Sequence, residues 1–185
     1  ANVNTISILK ESGFRRSCGI PTAGFTSTKR CEVRHFELKR INVPNRQKGL
    51  TPSVIFVGAV ALNDHFDRVL VGQRPVGKTM PNLWEFTGGK IRPGEMLSDT
   101  AIRETVEVLG VDINPNRLSP FSVVSHCYPD FHLVMLLFLC RQWMGECRAI
   151  HHRALKWVPA RELVALSVPP ADVALMRELQ DLLTK

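Results

Sequence analysis

Gly88-Gly89-Lys90-Ile91-Arg92-Pro93-Gly94-Glu95, followed at fixed distance by Arg103-Glu104-Thr105-Val106-Glu107-Val108-Leu109-Gly110-Val111, is the stretch on which the reading of the fold turns. Three glycines and a proline within eight residues predict a loop. The segment behind it predicts a helix from Asp99 to Leu109. Ser98 is placed as its N-cap, Asp99 at the positive end of its dipole, and Gly110 as a left-handed C-terminal cap. The sequence thus reads as glycine-rich loop, helix and second loop.

On such a helix Glu104 and Glu107 lie three residues apart, and Glu104 and Val108 four apart, so the three side chains share one edge. That edge faces the glycine loop. Carboxylates clustered beside a loop with free backbone groups suit a hard divalent cation, which prefers oxygen ligands and completes its shell with substrate phosphates. Metal-assisted attack of water on a phosphoanhydride is the chemistry this pattern suggests. A solvated helix face is the plainer alternative.

The same stretch resembles the signature of the Nudix hydrolases, G-x5-E-x7-R-E-U-x-E-E-x-G-U with U apolar. Gly89, Glu95, Arg103, Glu104, Glu107, Gly110 and Val111 fall in register over 23 residues. Two positions depart: Thr105 stands at an apolar position, and Val108 replaces the second glutamate of the Glu-Glu pair. The resemblance implies an α/β/α sandwich around a mixed sheet. It also implies inner metal ligands at the Gly88 carbonyl, Glu104 and position 108. With Val108 in the last place, Glu104 and Glu107 are left as the catalytic and metal-binding carboxylates, and Mg²⁺ or Mn²⁺ is expected to bind weakly. Glu95 and Arg103, with Gly89, are expected to brace the loop against the helix.

Further segments are similar to the MutT-like branch, whose members hydrolyse oxidised purine nucleoside triphosphates such as 8-oxo-dGTP to monophosphate and diphosphate. They are Gly72-Gln73-Arg74-Pro75, Leu83-Trp84-Glu85-Phe86, Leu155-Lys156-Trp157-Val158 and Pro169-Pro170-Ala171-Asp172. The resemblance implies that Asp172 reads the base edge and that Phe86 lines the base pocket. Thr87 replaces a usual proline. His151 stands where the family draws a further metal-binding glutamate. Arg74 and Lys78, in the loop facing the expected phosphates, are candidate triphosphate contacts.

Outside the box, Ser53–Leu62 and Arg68–Gln73 read as a hairpin. Phe121–His126, Phe131–Trp143 and Leu155–Pro159 read as strands. A final helix opens at Pro169-Pro170-Ala171-Asp172 and runs to Leu183, with Val173, Leu175, Met176, Leu179, Leu182 and Leu183 as its buried stripe. The longest apolar run, Leu133–Cys140, is eight residues, too short to span a membrane as a helix.

Charge divides the chain of 185 residues into a basic arm, residues 1–50, and an electrically balanced domain, residues 51–185, which is the part that resembles the Nudix family. The arm holds ten Lys and Arg against three Glu, which accounts for the whole net charge of +7. Such Arg-rich, acid-poor segments resemble mitochondrial transit peptides or contact nucleic-acid phosphates. The five cysteines form no C-x-x-C pair and read as reduced thiols; Cys147 with His151 and His152 lacks a fourth zinc ligand.

Two functions follow as expectations. One is a Mg²⁺-dependent MutT-like pyrophosphohydrolase impaired by Val108. The other is a Nudix module without turnover, a pseudoenzyme joined through residues 1–50 to RNA or a ribonucleoprotein such as a mitochondrial ribosome.

Overall fold

The computed structural model of the chain describes residues 53–185. The basic arm, with the leader and RNA-contact readings attached to it, lies outside the described residues. Seven strands form two sheets: β1 (Ser53–Leu62), β2 (Arg68–Gln73), β3 (Trp84–Glu85), β4 (Thr87–Lys90), β5 (Leu118–Cys127), β6 (Phe131–Cys140) and β7 (Ala154–Pro159). The first sheet has the order β4-β1-β6-β5 and the second β3-β2-β7. In the first, β1 runs parallel to β6 and antiparallel to β4, which makes the sheet mixed.

Helix α1 (Leu97–Leu109) covers one face and α2 (Asp172–Leu183) the other, the α/β/α arrangement expected. Residues alternate between the two covers along β1. Ala59 and Ala61 join Val69, Val71, Phe86, Leu137, Leu175 and Leu179 on the α2 side. Val60 and Leu62 join Leu70, Ala101, Leu109, Val111 and Phe138 on the α1 side. Each such buried aliphatic or aromatic side chain contributes roughly 1.5–3 kcal/mol over its exposed state.

Several boundaries differ from the sequence reading. The β1–β2 hairpin does not form: the two strands lie in different sheets and meet only at an isolated bridge, Asn63↔Val69. The reason is that β4 and β6 pair with the two edges of β1, leaving β2 no edge to join. The turn then leads the chain out of that sheet. Asp64 accepts hydrogen bonds from the Phe66 and Arg68 amides, both at 2.9 Å, and Asp67 takes φ 55°.

Helix α1 begins at Leu97, two residues before the predicted start. Ser98 is inside the helix, not its N-cap; extended Met96 holds that position without a side-chain bond. Leu97 packs into the α1-side core, and this packing overrides the cap preference. Gly110 closes the helix at φ 73° as expected.

β5 starts at Leu118, within the predicted loop, and bulges between Pro120 and Ser122, where proline has no N–H to offer. β6 stops at Cys140, opposite the last residue of β1, so Trp143 falls outside the strand and stacks on Trp157 with ring centroids 5.7 Å apart. The buried stripe of α2 is narrower than predicted. Val173 and Leu182 are exposed, and Asp172 is buried with Leu175, Met176 and Leu179.

Candidate functional site

The box folds as an ionic knot around Arg103. Its guanidinium donates to Glu95 at 2.7 and 3.0 Å, to Glu104 at 2.5 Å, to Glu107 at 3.2 Å and to the Lys90 carbonyl at 3.2 Å. Glu95 also accepts from the Arg92 amide at 2.9 Å and the Thr100 hydroxyl at 2.8 Å. Hydrogen bonds from Arg103, foremost, hold its carboxyl down to about 2. The expected brace between loop and helix is therefore present in the geometry. Glu104 lies directly over Gly89, where an added Cβ would fall 2.1 Å from its carboxylate oxygen, so only glycine admits this approach.

Glu104 and Glu107 are thus brought together on Arg103, with Glu104 over Gly89, but not as an open cage. Arg103 holds both glutamates, and Arg92 takes Glu107 as well at 3.2 Å. Val108, on the same edge, packs into the α1-side core. His151 is exposed and supplies no substitute. Among the described residues no group of three or more His, Cys, Asp or Glu gathers as a metal site, which also removes the Cys147–His151–His152 zinc arrangement. The donors present do not fit a resident divalent cation as they stand.

On the α2 side of the same loop lies a cavity of about 370 Å³, a size suited to a small-molecule ligand. Its apolar floor comes from β1 and β6, through Val57, Ala59, Leu133 and Met135. Phe86, Tyr128 and Phe131 supply aromatic surface, the last two stacked at 4.7 Å. Arg74, Glu85, Lys90 and Asp172 supply the polar groups. Gly88 and Gly89 line the cavity too, so pocket and box adjoin.

Asp172 is the most perturbed of these groups. Burial, reinforced by the charge of Glu85 and partly offset by Arg74 and the Phe86 amide, pushes its carboxyl up to about 8. At neutral pH it is a protonated acid with an O–H to donate. Arg74 pairs with Glu85, and its remaining nitrogens donate to the Thr79 carbonyl at 2.8 Å and hydroxyl at 3.1 Å. Lys78, expected beside Arg74, is exposed and does not line the cavity, although its charge reaches Glu85.

A model of the NUDIX domain matches residues 57–178, about two thirds of the chain. The chain belongs to the Nudix family. Within it the MutT-like branch is the near neighbourhood. An 8-oxo-dGTP diphosphatase of Proteus vulgaris is 31% identical over 104 residues, covering 52% of this chain and 91% of that protein. A CTP pyrophosphohydrolase of Escherichia coli is 29% identical over 126 residues, covering 63% and 84%. Among solved structures, the Escherichia coli ORF135 protein superposes with a TM-score of 0.63 at 25% identity, covering 71% of this chain and 91% of that one. A MutT structure from a study of the Aliivibrio salmonicida and Vibrio cholerae proteins gives 0.61 at 20% identity, covering 70% and 99%.

Five residues of this Nudix domain's site escaped the sequence reading, among them Lys90, which stood in the glycine loop without a role. Glu85 was visible only as the single charge within Leu83-Trp84-Glu85-Phe86, Phe131 only as the start of a strand, and Tyr128 not at all. His152 was noticed for zinc alone. Its side chain is 6% exposed and sits 3.9 Å from Glu85.

Proposed function

We propose that the chain binds a purine nucleoside triphosphate, with the base in the Phe86–Tyr128–Asp172 cavity and the phosphates toward Arg74 and Lys90, and hydrolyses it slowly in the manner of MutT-like pyrophosphohydrolases. The observation that carries this reading is buried Asp172 and the Arg74-paired Glu85 lining one aromatic-walled pocket, with burial favouring the protonated form of Asp172. A protonated acid donates and a carboxylate accepts, so the pair offers complementary contacts to a base edge with an adjacent carbonyl and N–H. Phe86 and Tyr128 give the base its apolar surfaces.

Phosphorus chemistry in the family rests on a divalent cation, and here the carboxylates that would receive it are held by Arg103. Low turnover follows from that occupation. The second reading, a nucleotide-binding module without turnover, is favoured by the same two facts: Arg103 holds Glu104 and Glu107, and Val108 belongs to the core. In that reading residues 1–50 would carry any contact with RNA.

The test is a nucleotide panel assayed for binding and for diphosphate release across a Mg²⁺ series. Asp172→Ala should weaken purine nucleotides about 10–100-fold, and CTP much less, because a hydrogen bond to the base leaves a buried partner unpaired when it is removed. Equal weakening of both classes would place the base elsewhere. Binding without release would select the second reading.

A further inference from the structure

His152 is a buried imidazole with no hydrogen-bond partner at either ring nitrogen among the described residues. Buried polar atoms are ordinarily hydrogen-bonded, and an unpaired one is costly. The fold nevertheless makes room for it. Gly72, opposite Glu85 in the β2–β3 pair and opposite Leu155 in the β2–β7 pair, has no side chain, and a Cβ there would fall 2.4 Å from the ring.

Glu85 faces the ring, its Oε1 3.9 Å from His152 Nδ1. The other oxygen of Glu85, Oε2, is held by Arg74 through Nη1. The charged and titratable groups around the ring are Glu85 on β3, Arg74 at the end of β2 and the neighbouring His151. Asp172, at the start of α2, acts on Glu85 from the far side. Burial keeps His152 neutral, so it has one N–H to give.

We propose that His152 is a positioning residue for Glu85: when the phosphates of a bound nucleotide draw Arg74 Nη1 away, the Nδ1–H of His152 closes onto Oε1 and holds the carboxylate in place. The inference rests on the nucleotide reading above. Arg74 can give up Nη1 without leaving its loop, because its other nitrogens stay bonded to Thr79. A closure of about 1 Å brings 3.9 Å to hydrogen-bond length. The imidazole then gains a partner in the complex, and Glu85 exchanges the Arg74 bond for one to His152.

The experiment uses the full chain with dGTP in the presence of a chelator, so that binding proceeds without turnover. Affinity is followed by calorimetry, and the imidazole of His152 by ¹⁵N NMR. At saturation the Nδ1 resonance should shift as expected for a protonated nitrogen in a new hydrogen bond, and Glu85→Gln should diminish that shift. His152→Phe, which fills the space without a donor, should bind dGTP about tenfold more weakly. His152→Gln, which keeps an N–H, should recover most of the loss. An unchanged Nδ1 resonance at saturation, or wild-type affinity in His152→Phe, would overturn the proposal while leaving the nucleotide reading intact. A wild-type chain that does not bind dGTP sinks that reading and takes this inference with it.

Discussion

Around Arg103, three glutamates share one guanidinium, and Glu95 and Glu107 gain further donors from Arg92 and Thr100. Across the loop, Asp172 is buried beside a like charge and His152 has no hydrogen-bond partner among the described residues. The first cluster has settled its charges internally; the second has not. Self-satisfied ion networks hold structure together, whereas perturbed and unpaired groups in a cleft are where a ligand has something to gain. The comparison therefore separates two meanings of a matched motif. On the function proposed above, the box shapes the loop and fixes the helix, while the pocket takes the ligand.

Asp172 gives the sharpest test of the difference. Its carboxyl stands at about 8 in the folded chain against 3.8 ordinarily. The folded state thus holds this proton more tightly than the unfolded one. Its contribution to stability is fully present below about pH 4 and declines as pH rises toward about 8, by on the order of a few kcal/mol. Asp172→Asn should remove that decline, as read from urea midpoints across the window. A variant curve as steep as the wild-type one would show that the carboxyl does not titrate as an uncompensated group.

The space given to His152 can be probed from the other side. Gly72→Ala should cost roughly 1–3 kcal/mol by pushing the ring out of place. The same substitution in a His152→Ala background should cost almost nothing, a coupling measurable by a double-mutant cycle. Equal costs in both backgrounds would mean that strand and ring do not compete for the same volume.

Val108→Glu tests the box. A third carboxylate on the helix edge would outnumber what Arg103 can hold. Mg²⁺ affinity should rise about 10–100-fold, the scale on which changes around a metal site act, and diphosphate release should rise with it. No gain in either would show that Arg103, not Val108, sets the limit.

The smallest effect belongs to Glu95. Its folded carboxyl is depressed to about 2 from 4.5, so its stabilisation is present above the ordinary value and lost as pH falls through the lower one. Glu95→Gln should therefore lose a modest part of its acid dependence relative to wild type in thermal midpoints taken between about pH 5 and pH 2. Parallel curves would mean that the Arg103 bond to Glu95 is not felt by the fold.

The box was legible because its spacing encodes contacts that are local along the chain: Glu95 to Arg103, Arg103 to Glu107, Gly110 to the end of α1. Asp172 was legible only by resemblance. Periodicity placed Val173 on the buried stripe, yet Asp172, three residues before Leu175, takes that place. The false hairpin has the same origin. Two apolar runs joined by a short turn satisfy a local rule, but the ten-residue pairing of β1 with β6 outweighs it. His152 could not be read at all, since nothing in His151-His152-Arg153 says which imidazole turns inward. Only the missing side chain at Gly72, far away in sequence, decides that.

The parallel ladder from Ser53↔Phe131 to Leu62↔Cys140 also bears on how the protein comes into being. β1 leaves the ribosome first and must wait while the loop, the whole of α1 and β5 are synthesised before its partner β6 emerges. Until then a strand buried on both faces in the finished molecule has one edge unpaired. Nonlocal parallel pairing of this kind is slow to form. A nascent chain ending before Phe131 would carry every residue of the box but only the β1–β4 pair of the four-stranded sheet against which α1 packs.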